Sequence, residues 1–148
     1  MDKFKQFFDD KLVPRKVPVD GTEEIHLAAA ALLMEIARAD SNIDEREEAA
    51  VIASLRRAFD LADDALEETA RLAVTATEEA EDFYQFTRLV NEHYRAGEKQ
   101  ALVEDLWRVA WADGAVDKYE EHFIRRIAGL IQVPLSQCIE ARQRARPQ

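Results

Sequence analysis

Ile36-Ala37-Arg38-Ala39-Asp40-Ser41-Asn42-Ile43-Asp44 and Val109-Ala110-Trp111-Ala112-Asp113-Gly114-Ala115-Val116-Asp117 are two versions of one segment, 73 residues apart. Each passes from an apolar helix end through an acidic break to an Asp that opens another helix. The same register extends outward: Glu47 meets Glu120, Glu48 meets Glu121, Val51 meets Ile124, Asp63 meets Ser136 and Leu66 meets Ile139. Chance seldom keeps caps, apolar positions and carboxylates in step together, so the chain is read as an internal duplication.

Around these elbows the apolar spacing is helical. Ile25, Ala29, Leu32, Leu33 and Ile36 form one face before the first elbow; Val51, Ile52, Leu55 and Phe59 form one after it. Leu102, Val103, Leu106 and Ala110, then Phe123, Ile124, Ile127 and Ile131, repeat the arrangement. Asp64 with Glu67 opens a third helix that runs to about Ala76, and Ser136 caps its counterpart carrying Ile139. Phe83, Phe86, Val90 and Tyr94 mark a linking helix over 79–94. Residues 1–21 read as an N-terminal helix and a connector with Pro14, Pro18 and Gly21, after which Asp20 and Glu23 form a capping box. The expectation is an all-α fold of about seven to eight helices. Residues 22–148 form one domain, with three-helix units over 24–76 and 97–146.

Composition agrees. The 148 residues are 47% hydrophobic and 34% charged, with only 4 Gly and 4 Pro, enough for one core and poor in strand or turn signals. The formal net charge of −10 repels phosphate backbones, which argues against nucleic acid and for cations or a basic protein partner. One cysteine, Cys138, excludes an internal disulfide and suits a reducing, cytoplasmic setting; its expected role is a small buried hydrophobe. No apolar run reaches the ~20 residues of a membrane span, so no stable membrane insertion is expected.

The elbows carry the chemistry. Each contains Asp-x-x-x-Asp-x-x-Glu: Asp40, Asp44 and Glu47, then Asp113, Asp117 and Glu120. Asp44 with Glu47, and Asp117 with Glu120, have capping-box spacing and need no ligand to explain them. Asp40 and Asp113 are different. Each follows a helix C-terminus, where a negative charge costs about 0.3–1 kcal/mol, so a hydrogen bond to the next helix's N-terminus or a cation must compensate. A cation held here would meet hard oxygens only, which favours Ca²⁺, with Mg²⁺ or Mn²⁺ as alternatives. Asp40-Ser41-Asn42-Ile43-Asp44 starts like an EF-hand, but Glu45 and Val51 stand where that loop needs Gly and Glu. No His pair has metal spacing, and no phosphate loop or nucleophile elbow is present. Trp107 and Trp111, one turn apart, are read as core packing.

At the paired elbows the chain resembles the TerB-like family, known from tellurite-resistance proteins, and most closely at Ala112-Asp113-Gly114-Ala115-Val116-Asp117-x-x-Glu120. The likeness spans roughly residues 24–144. It implies an all-helical fold, an acidic surface cluster with a suggested role in metal binding, and no established enzymatic activity. A related domain occurs in membrane-anchored J-domain co-chaperones, but this chain has no His-Pro-Asp tripeptide. The expected function is a cytoplasmic cation-binding module in metal or envelope stress response. The alternative is a metal-independent scaffold whose acidic face docks a basic partner. The helices before the elbows are expected to pack together, so that the acids converge into one cluster.

Overall fold

The architecture follows from one helix that has almost no solvent face. In the computed structural model, which describes residues 22–38 and 45–147, α1 spans Thr22–Ala37. Every residue from Leu27 to Ala37 is buried, Glu35 included. The sequence pattern marks a single apolar stripe on this helix. The run Ala28-Ala29-Ala30-Ala31 instead lets neighbours approach on all sides, because a methyl group keeps the backbones close.

Six more helices follow: α2 (Glu45–Ala58), α3 (Asp63–Glu79), α4 (Tyr84–His93), α5 (Ala96–Trp111), α6 (Lys118–Leu130) and α7 (Leu135–Ala145). No strand occurs among the described residues, and the fold is all-α. α2 begins at 45 and α6 at 118, 73 residues later, while the starts of α1 and α5 lie 74 apart and those of α3 and α7 72 apart. Within each unit every pair of helices touches, and the first packs most extensively on the third, α1 on α3 and α5 on α7. The units join through α1 against α5 and α2 against α5, while α4 lies on α1.

Three local expectations change. The linking helix starts at Tyr84, and α3 runs on through Glu79. The Asp82 side chain accepts the Tyr84 N–H at 2.9 Å, which sets the later start. Asp64 lies inside the first turn of α3, and its carboxylate accepts the next residue's N–H (Ala65, 2.9 Å). Ser136 lies within α7, whose N-cap position is Pro134. The N-terminal helix and connector over 1–21, with the Asp20–Glu23 box, fall outside the described residues, as do Asp40 and Asp44 of the first elbow.

The end of α6 is a Schellman turn. Gln132 N–H donates to the Gly129 carbonyl at 3.1 Å and Val133 N–H to the Ala128 carbonyl at 2.8 Å. Gln132 therefore sits at φ 67°, a conformation that suits glycine. Gln132→Gly is expected to raise the unfolding free energy by about 0.5–1 kcal/mol, measured by urea denaturation. Ala30→Leu, in the fully buried run of α1, is expected to lower it by about 1–3 kcal/mol. Ala49→Leu on the exposed face of α2 should stay within about 0.5 kcal/mol of the parent.

Candidate functional site

The second elbow is built by its own backbone. α5 tightens as it ends, with Ala112 N–H donating to the Val109 carbonyl at 3.1 Å and Gly114 N–H to the Trp111 carbonyl at 2.8 Å. The chain then reverses through Gly114 at φ 98°, where a side chain would be strained. Asp113 uses one carboxylate oxygen to accept the Ala115 N–H at 3.1 Å. That local turn compensates its position after a helix C-terminus without a cation. Asp117 and Glu120 form the expected capping box: Glu120 N–H donates to Asp117 at 2.8 Å, and Asp117 N–H donates to Glu120 at 3.0 Å.

Glu120 does more than cap. It is 4% exposed and hydrogen-bonds, side chain to side chain, with Glu47 of the other repeat, itself buried. The two glutamates that the 73-residue register equates therefore meet across the unit boundary. Burial, and then the charges of Asp117 and Asp113, push the Glu120 carboxyl up to about 7, against the opposing effect of its hydrogen bonds from the Asp117 backbone and Glu47. Two carboxyls in hydrogen-bond contact need a proton between them, because two bare carboxylates would repel.

A second inter-repeat contact lies beside this pair. The Tyr119 hydroxyl donates to Glu35 at 2.6 Å, and Arg38 reaches the other Glu35 oxygen at 3.4 Å. Burial, followed by the Glu35 hydrogen bond and charge, pushes the Tyr119 phenol up to about 12. Glu35 was not singled out from sequence. Its signal was a lone acid inside the apolar run Leu32-Leu33-Met34-Glu35-Ile36-Ala37.

Of the six sequence-derived site residues, Glu47 and Glu120 are in contact, and Asp113 and Asp117 lie near enough to act on Glu120. Asp40 and Asp44 are outside the described residues, and with them the Asp40–Asp113 separation. Among the described residues no group of three or more His, Cys, Asp or Glu side chains is arranged to hold a metal ion. Glu121 is engaged by Arg142 at 3.0 Å and Arg125 at 3.9 Å, so it serves the packing of α6 on α7. Trp107 is buried and donates to the Cys138 carbonyl at 3.1 Å. Cys138 is buried too, and burial raises its thiol, in keeping with a core role.

An all-α fold in which Glu47, in the first turn of α2, meets Glu120, in the first turn of α6, defines an acidic helical module. The chain belongs to the TerB family, described as tellurite resistance protein TerB, which it matches over residues 26–143. The match covers both units and the linking helix. No curated protein and no solved structure matches the chain. No described helix is long and apolar enough to cross a membrane.

The sign of the pH effect follows from Glu120. Its folded carboxyl titrates near 7 and an unfolded one near 4.5, so folding takes up a proton between those values. Its contribution to stability is thus lost as pH rises through that window. Glu120→Gln keeps the shape and removes the charge. Thermal unfolding should show the variant at or below the parent near pH 5, and more stable by roughly 1–2 kcal/mol near pH 8. A stability difference that is flat with pH would mean that Glu120 is ionised throughout.

Proposed function

We propose that this TerB-family chain is a cytoplasmic binding module, not an enzyme, and that it takes up a divalent cation between Glu47 and Glu120. The observation that carries this is the buried contact between Glu47 and Glu120, one from each repeat. A pair of this kind has two stable fillings, a proton or a cation. At acidic pH the proton suffices. Above the Glu120 titration the pair carries excess negative charge, and a cation that binds only the folded state stabilises it by mass action. Every donor is a carboxylate oxygen, which suits Ca²⁺ first and Mg²⁺ or Mn²⁺ as alternatives. Glu47 and Glu120 are the core ligands. Asp113 and Asp117 add negative potential around Glu120, and Asp40 and Asp44 complete the set by repeat equivalence. Such a module suits metal or envelope stress response, where occupancy follows cation level.

The alternative is a metal-independent scaffold that docks a basic protein. Asp113, Asp117, Glu45 and Glu48 are all exposed, so an acidic face is available to such a partner.

Calorimetric titration of the chain with Ca²⁺, Mg²⁺ and Mn²⁺ distinguishes the two. Saturable heat is expected at about pH 8, with weaker binding at about pH 5, where the proton competes. Glu47→Gln combined with Glu120→Gln should abolish it. Silence with all three cations at both pH values excludes the cation site and leaves the docking face. Binding that survives the double variant places the cation elsewhere.

A further inference from the structure

A cavity of about 320 Å³ lies between the two repeats, toward the N-terminal halves of α1 and α5 and away from the elbows. Its walls include equivalent positions of the duplication: Ile25 with Glu98, and Ala29 with Leu102. The departures from symmetry make the space. Ala29 is smaller than Leu102, and Glu98 brings a charge where the first repeat has Ile25. Ligand sites favour such seams, and about 300 Å³ is the lower end of their size range. A cavity of about 150 Å³ holds benzene, so this one takes a ring with a short side arm.

The interior is apolar and aromatic. Leu55 and Leu102 line it, and the His26 ring lies against Phe59 with centroids 4.1 Å apart. One wall is polar. Tyr94 lines the cavity, and among the described residues none hydrogen-bonds its hydroxyl. Burial, then the charges of Glu98 and Asp105, hold that hydroxyl as a phenol. Asp105 is already paired, to Arg57 at 3.1 Å and Arg108 at 2.8 Å. Glu98 has no ion pair among the described residues. One of its oxygens accepts the Arg95 N–H at 2.8 Å, and the other is open to a ligand.

We propose that this cavity binds a small aromatic amine, its ring seated between Phe59 and Leu102 and its ammonium held by the Glu98 carboxylate and the Tyr94 hydroxyl. An anionic head would meet the Glu98 carboxylate instead. The site is separate from the elbows and does not depend on cation binding there.

The test uses the full chain and three probes of one shape: 2-phenylethylammonium, 2-phenylethanol and phenylacetate. Amide chemical shifts are followed during each titration. The ammonium is expected to give saturable shifts in α1, α2, α4 and α5 at millimolar ligand, with the alcohol weaker and the acid silent. Glu98→Gln keeps an oxygen for the Arg95 cap and should weaken ammonium binding roughly tenfold or more, the worth of one charge-assisted hydrogen bond. Ala101→Trp fills the cavity from its exposed rim and should abolish binding, with helical content unchanged by circular dichroism. Equal binding of all three probes overturns the proposal, as does ammonium binding that persists in a folded Ala101→Trp variant. Absence of saturable shifts with any probe overturns it too.

Discussion

The burial of α1 on all its faces is the constraint on which the rest of the molecule depends. A helix in that position must carry little side-chain volume where backbones crowd, and Ala28 to Ala31 meet that need. Its neighbours are then fixed. α3 and α2 cover it from its own repeat, α4 from the link, and α5 from the second repeat. The core is therefore shared by both units, each of which would expose its central helix if separated. The same packing sets α1 beside α5, and Glu47, in the first turn of α2, meets Glu120, in that of α6.

Opposing effects meet at Glu120. The N-terminal turn of α6 favours a negative charge, and the Asp117 N–H donates to it. Burial and the charges of Asp117 and Asp113 disfavour that charge, and they win: the carboxyl holds its proton into the neutral range. The fold has spent a well-formed capping box on a position where ionisation is costly. That is intelligible if the charge is matched by something other than the protein, which is why the contact supports a cation site.

The sequence made most of the fold legible because the helices announce themselves by apolar spacing. The errors were local. Helix-favouring Glu79, Ala80 and Glu81 invite an early start for the linking helix, whereas it begins at Tyr84, whose N–H the Asp82 side chain accepts. The complete burial of α1 was hidden because alanine is compatible with either face of a helix. At the site, the capping box of the second elbow was readable from spacing alone. The spacing points Asp113 to the next helix's N-terminus or to a cation, whereas its hydrogen bond comes from the Ala115 amide inside the turn, a donor that only the backbone path at Gly114 reveals. Contacts between residues far apart in the chain, such as Tyr119 with Glu35, leave only faint traces in a sequence. The cavity beside Tyr94 left none, since its walls come from four helices with no shared motif.

The C-terminal helix has an optical consequence. Arg142 lies over both indoles, 5.2 Å from the Trp107 ring centre and 5.6 Å from that of Trp111, and Arg146 lies 5.5 Å from Trp111. Arg142 also pairs with Glu121, in the first turn of α6 just beyond the second elbow. Both tryptophans of the chain thus sit in the field of a guanidinium whose position is tied to the elbow. Indole emission shifts with nearby charge, so any change in how α6 leaves that turn is transmitted to the chain's own fluorescence. The molecule carries a native optical gauge of its acidic end, and no added label is needed to follow it.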